Sequence, residues 1–307
     1  MEDVRDKPYL SHEDVLALNF IREPSPYLFR RHHRSGLRSH IMEVLRLGDL
    51  ELERTGILQD GLRRFPRAKP LKMLRIFRTR FEGPSEAEQE IGRVKLVLRH
   101  LEAEQLGMSN EFLVDYNIGG GREPLLCGLQ EYVEGEILDP WSPAQGAELR
   151  HLASRLEPGA LSLFRGHAEG FVRNVKRMIL ESGHVPDLAG VGNLLVTRAG
   201  RIKLVDINNI SRVFMDRKIR VDDRGYPVCD KSIQALALLE EKVLGRPPDL
   251  SEVLYRIYLD PGRIREVKAI EKAFHLSMKE EGFSEAGGQL PFSTKPAGGG
   301  GKRGEYP

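Results

Sequence analysis

Two cysteines in 307 residues, Cys127 and Cys229, are too few and too far apart for a disulfide framework or a thiolate metal site. They fit reduced thiols in a reducing compartment. Net charge is nearly absent: 47 Lys and Arg stand against 45 Asp and Glu, a formal +2. That balance lacks the global signature of a polyelectrolyte partner such as nucleic acid. No apolar run approaches the roughly 18 residues needed to span a bilayer. The opening residues Met1, Glu2, Asp3, Val4, Arg5 and Asp6 have none of the apolar core of a signal peptide. These absences make a cytoplasmic protein the expectation, and no internal repeat is evident. At 307 residues with 40% apolar content, the chain can bury a full core and divide into two parts.

What is present concentrates between Gly192 and Asp206. Asn193 opens the short apolar run Leu194, Leu195, Val196; Thr197 to Gly200 reads as a turn; Ile202, Leu204 and Val205 form a second run that ends in Asp206. Apolar runs around a polar, Gly-bearing turn predict a β-hairpin that brings its two ends together. An amide oxygen and a carboxylate at one end suit Mg²⁺, which takes one or two protein oxygens and fills its shell with phosphate and water. Asn and Asp are also ordinary strand-end residues, so a plain hairpin is the competing reading.

Three upstream segments bear on that choice. His184, Pro186 and Asp187 precede Asn193 in a Gly-bearing loop. Leu125 to Gln130 is an apolar strand that runs into Glu131, Tyr132, Val133, Glu134 and Gly135. Lys72 to Arg78 alternates as a strand and is followed by a helix from Ser85 to Leu101, with Ile91, Val94, Leu98 and Leu101 on one face.

Together these segments resemble the protein-kinase-like superfamily, in particular its aminoglycoside and other small-molecule phosphotransferases. The resemblance covers residues 46–280, best in 125–138 and 181–210. It implies an α+β, two-lobed fold, with a small β-rich lobe carrying one long helix and a mainly helical second lobe. Asn193 and Asp206 would then hold Mg²⁺ on ATP. Asp187 would be the base for the acceptor hydroxyl, Arg75 with Glu90 would serve the nucleotide phosphates, and the backbone at Glu131, Tyr132 and Val133 would take adenine. The chain departs from the family pattern at several points. His184 lies three residues before Asp187 and Asn193 six after it, one more than usual on each side. Arg75 stands where a strand Lys is usual, and Lys72 lies on the opposite strand face. The glycine-rich phosphate loop, expected between Gly48 and Phe65, is absent as a motif, since Gly56 and Gly61 lack its spacing. Ile207, Asn208 and Asn209 follow Asp206 in place of Phe-Gly, which favours a small-molecule, sugar or lipid-linked acceptor over a protein. A catalytically impaired pseudokinase that senses nucleotide is the alternative.

The rest of the chain is organised around these anchors. Residues 1–45 read as an N-terminal extension with a short helix from Ser11, residues 46–130 as the small lobe, 131–285 as the helical lobe and 286–307 as a disordered tail. Helices are expected over Ala144–Arg155, Leu161–Ile179, Lys231–Leu244, Leu250–Tyr258 and Arg263–Glu281. Arg30, Arg31 and Arg34 form a basic cluster suited to peripheral contact with a membrane surface. Without interleaved aromatic residues, nucleic acid is not expected as a partner.

Overall fold

The computed structural model describes residues 2–33, 38–142 and 153–280. Within them the chain is α+β. Five antiparallel strands make the main sheet: β1 (Tyr27–Arg31), β2 (Ser39–Arg46), β5 (Lys72–Phe77), β6 (Ser109–Ile118) and β7 (Gly121–Glu131), in the order β1-β2-β5-β7-β6. Residues Met73 to Phe77 are buried without interruption, so both faces of this central strand must be covered. Leu74 and Ile76 face one layer, together with Met42, Val44, Phe29, Val114, Leu125 and Cys127. Phe77 and Leu126 face the other, against Phe81 and Ala87.

The first layer is made by the segment from Val4 to Leu18. Val4, Leu10, Val15 and Leu18 lie on that sheet face. Val15 belongs to α1 (His12–Ala17), whose capping box joins Ser11 to Asp14. Val4 N donates to Tyr116 Oη at 3.1 Å, and Arg5 bonds Asp3 at 2.7 Å and Glu123 at 2.5 Å. His40, buried beneath, holds Val4 O through Nε2 at 2.9 Å. Since a carbonyl only accepts, Nε2 carries the proton; burial and the Arg78 charge lower the ring's pKa to about 4. Residues 1–45 are therefore not an extension: they supply two strands and the outer layer of the sheet. The composition hid this because the segment's apolar residues are spaced among charges that pair locally.

Between β2 and β5 lie α2 (Leu47–Thr55) and a separate two-stranded ribbon, β3 (Ile57–Gln59) with β4 (Leu62–Arg64). Asp60 and Gly61, at φ 51° and 76°, make its two-residue turn. Gly56 and Gly61 thus serve a hairpin, and no phosphate-covering loop lies in this stretch. The helix α3 (Pro84–His100) starts from Gly83 with Pro at its first turn, one residue ahead of the expected start at Ser85. Its first half packs on the sheet through Ala87 and Ile91, while Val94, Val97 and Leu101 join the helical core.

That core is built on α4 (Ala160–Ser182) and α5 (Val228–Lys242), with α6 (Val253–Tyr258), and α7 (Pro261–Glu280) packs against α6. Phe164, Phe171, Val175, Ile233 and Tyr255 lie at its centre, almost wholly buried. The hairpin at Asn193–Asp206 is present as β10 (Leu194–Val196) and β11 (Ile202–Leu204), with β8 (Glu136–Ile137) as a third strand. A short pair, β9 (His184–Pro186) with β12 (Ile210–Arg212), completes the β structure. The helix expected over Ala144–Arg155 falls mostly on residues outside those described, as does the tail 286–307. No helix among the described residues is long and apolar enough to cross a membrane.

Candidate functional site

Four backbone segments deliver polar side chains to one place between the sheet and the helical core. The hairpin is closed to its base, because Val205 N donates to Asn193 O at 2.8 Å. Asn193 and Asp206 consequently flank that last pair. The Asn193 amide donates through Nδ2 to the Asp187 carbonyl at 3.1 Å, which leaves Oδ1 for another partner. Gly190 permits this approach: a Cβ there would sit 2.7 Å from Asn193 Nδ2. The loop's extra length is absorbed by a turn from Gly190 to Asn193, with Gly192 at φ 88°.

Asp187 follows β9 directly, and the β9–β12 pair fixes it. Its backbone N donates to Asn209 O at 2.9 Å. Its carboxylate accepts from Ala189 N at 2.8 Å and from Asn209 Nδ2 at 2.7 Å. Burial, reinforced by the nearby Asp206 charge, raises its pKa to about 6. The carboxyl is thereby poised close to neutrality, where a proton acceptor works best.

Arg75 enters from the sheet. It is buried, and its guanidinium donates to Asp206 Oδ1 at 2.9 Å and to Asn208 Oδ1 at 2.8 Å. Asn208 in turn donates to Glu111 Oε1 at 3.3 Å. One row of the sheet explains the chain of contacts: Ile41, Arg75, Gly128 and Glu111 lie side by side. Gly128 has no side chain, so Glu111 can lean across it; a Cβ there would lie 3.4 Å from Glu111 Oε1.

The expected pairing of Arg75 with Glu90 is not formed. Glu90 bonds Arg93 at 2.6 Å, three residues along its own helix. Glu90 is partly buried, one helical turn from Ala87 and Val94, and its carboxylate is taken by Arg93 while the Arg75 guanidinium is taken by Asp206 and Asn208. Glu131, at the end of β7, holds Lys203 Nζ at 2.9 and 3.0 Å. Gln130 Nε2 donates to the carbonyls of Gly107 at 2.8 Å and Val205 at 2.6 Å. Tyr132 and Val133 continue from there, and Gly135 passes so close to the hairpin that a Cβ would lie 2.7 Å from Val196 O.

Beyond Asp187, Trp141 Nε1 donates to Ala189 O at 3.1 Å, and the Lys231 ammonium sits 3.6 Å from the Trp141 ring centroid. Lys231 and the Tyr226 hydroxyl both bond Glu271, at 2.9 and 3.0 Å. Burial and the acid charges of Glu271 and Asp187 push the Tyr226 hydroxyl upward, so Tyr226 stays a neutral donor.

No protein-family model matches this chain, and no curated protein matches it.

The sites singled out in the sequence divide into two groups. Asp187, Asn193, Asp206 and Arg75 come together; Glu90 pairs with Arg93 instead of Arg75, and of the expected hinge backbone the Glu131 amide is held by Met108 O at 2.8 Å. Asn208, Asn209, Glu111 and Lys203 were missed. The signal for the two asparagines was their position directly after Asp206, and for Lys203 its outward place between Ile202 and Leu204. In the basic cluster, Arg30 is spent on Glu43 at 2.8 Å and Glu53 at 2.9 Å, and Arg31 lies 5.4 Å from the Tyr9 ring centroid. Arg34 lies outside the described residues. His32, His33 and Glu43 hold donor atoms within 4.8 Å of one another, but Glu43 already serves Arg30 and Arg67. Two guanidinium groups on one carboxylate oppose a metal cation there.

Proposed function

We propose that the chain is an ATP- and Mg²⁺-dependent phosphotransferase of protein-kinase-like, two-lobed fold. The acceptor is a hydroxyl on a small-molecule, sugar or lipid-linked substrate. The observation that carries this reading is the convergence of Asp187, Asn193 and Asp206 beneath Arg75. Strand order adds support. Arg75 lies on the third strand of the main sheet in chain order, a long helix separates third from fourth, and Glu131 ends the fifth where the chain crosses to the helical half. The resemblance expects the strand cation, long helix and hinge in that sequence.

The donors suit Mg²⁺ in kind. Asn193 Oδ1 and the second oxygen of Asp206 are hard oxygen ligands, as this cation requires. When bound, Mg²⁺ would neutralise charge on the phosphates. The protein's own contribution is placement. Arg75 adds a fixed guanidinium toward the phosphates, the backbone at Tyr132 and Val133 offers amides to adenine while the Glu131 amide is held by Met108 O at 2.8 Å, and Asp187 holds the acceptor hydroxyl and takes its proton. Tyr226, Lys231 and Glu271 border the acceptor side.

A specific contact favours a second reading. Asp206 Oδ1 is already engaged by a buried guanidinium at 2.9 Å, so the site carries its own cation. A pseudokinase that binds nucleotide without turnover would show this. Thermal stabilisation by ATP with and without Mg²⁺ tests the pair. At a hundredfold excess over Kd, stabilisation is about 2.7 kcal/mol. The phosphotransferase requires the Mg²⁺-dependent part to vanish in Asp206→Asn, and turnover in Asp187→Asn to fall by roughly two orders of magnitude with ATP affinity kept. Binding unchanged by Mg²⁺, with no transfer to any hydroxyl acceptor, supports the pseudokinase. No nucleotide binding at all defeats both.

A further inference from the structure

The β3–β4 ribbon is built unlike the rest of the molecule. Among the described residues it pairs with no other strand, and an isolated two-stranded hairpin is marginal in water. Yet Leu58, Leu62 and Phe65 are 68%, 64% and 61% exposed, and Ile57 and Leu52 beside them are also open. None of these side chains belongs to a core cluster. Their exposure serves no folding purpose visible in the chain, and apolar groups gathered in this way mark a contact surface. The ribbon is nevertheless shaped with care. Its turn uses Asp60 and Gly61 in the left-handed region, and Arg63 Nη1 donates to Thr55 O at 2.6 Å. Gly56 lets strand β4 approach so closely that a Cβ would meet Arg63 Cγ at 2.8 Å.

The arrangement of side chains selects the occupant. Ile57 lies opposite Arg64 and Gln59 opposite Leu62, while Leu58 lies opposite Arg63. Directly paired residues share a face and neighbours alternate, so apolar side chains project from both faces of the ribbon. A folded protein partner with one groove covers one face. A fluid apolar medium covers both. Arg63 and Arg64 are exposed on the ribbon itself, and Asp60 at the tip is its one acid. We propose that the Ile57–Phe65 ribbon is a docking element for an anionic lipid surface: Leu58, Leu62 and Phe65 enter the interface and the arginines meet lipid phosphates. Asp60 stays at headgroup level, which keeps the insertion shallow. The assignment is independent of the nucleotide site.

Co-sedimentation of the full chain with vesicles of phosphatidylcholine, alone or mixed with phosphatidylserine, tests it. The protein sediments with the mixed vesicles and is released by added salt. Replacing Arg63 and Arg64 by Gln weakens partition by about fivefold for each charge removed. Leu58→Asp combined with Leu62→Asp abolishes it; both positions are exposed, so an unaltered thermal melt shows that the variant is folded. Wild-type protein that sediments with neither vesicle overturns the proposal, as does binding that ignores both sets of substitutions. So does a dimer in analytical ultracentrifugation that depends on Leu58, which would assign the ribbon to a second copy of the chain.

Discussion

Arg75 and Asp206 are unequal partners, and removing each should show it. The Arg75 side chain is 7% exposed and that of Asp206 29%. In Arg75→Met the apolar stem is replaced in kind, and the buried charge disappears. Asp206 regains water, while Asn208 Oδ1 loses its donor in a buried place; an orphaned acceptor of this type costs about 1–3 kcal/mol. The net loss should be about 2 kcal/mol, or a fall in Tm of roughly 4–8 °C. Asp206→Asn instead strands a buried guanidinium whose Nε already has no partner. Breaking a buried pair from that side costs about 3–5 kcal/mol. Urea unfolding of wild type, both single variants and the double variant gives the answer. The double variant should be no less stable than Asp206→Asn alone, with a coupling of about 1–3 kcal/mol between the sites. Additivity to within about 0.5 kcal/mol would refute the idea that this pair ties the sheet to the hairpin. In ATP titrations, Arg75→Met should weaken binding more than Lys72→Met, whose residue is exposed at the start of β5.

Three further outcomes follow from burial. Because the folded pKa of Asp187 is raised to about 6, its folded form favours the proton. The stability this gives is present below the unfolded aspartate pKa and is lost as pH rises through 6. Asp187→Asn should accordingly be more stable than wild type at pH 8 by on the order of 2–3 kcal/mol, with the gap closing near pH 4 in thermal melts. His40 has the opposite sign: its pKa is lowered to about 4, so its share of stability is full above pH 6.5 and lost as pH falls toward 4. His40→Gln should flatten that acid limb of the melting curve, and an unchanged slope would count against the buried neutral ring. Burial pushes the Cys127 and Cys229 thiols up to about 12 and about 11; both should resist a thiol reagent in native protein and react once it is unfolded.

Local pattern carried much of this structure. The helices from Ala160, Val228 and Pro261 were legible because each has an apolar face at helical spacing, and the hairpin at Asn193 because two short apolar runs frame Gly200. The ribbon at Asp60 and Gly61 carries an equally strong turn signal, Asp-Gly between apolar residues, which the missing phosphate-loop spacing of Gly56 and Gly61 does not reveal. Long-range pairing was much harder to read. The Glu90–Arg93 pair, three residues apart on one helix, was open to a local reading, but nothing near Arg75 says that its partner lies 131 residues away. The role of Glu111 depends on Gly128 opposite it, and that register is fixed only when the sheet assembles.

The layer that begins at Val4 also constrains how the molecule can be made. Val4 reaches Tyr116 across 112 residues, and Arg5 reaches Glu123 across 118. During synthesis the segment around Val4 and Arg5 must therefore wait for the last two strands of the sheet before it finds a place to rest. Until then Leu74, Ile76 and Leu125 offer an uncovered apolar face, of the kind that makes nascent chains prone to association. Closing contacts so distant in sequence is slow. A polar substitution at Val4 or Leu10 would act on assembly of the whole sheet, although neither residue touches Asp187, Asn193 or Asp206.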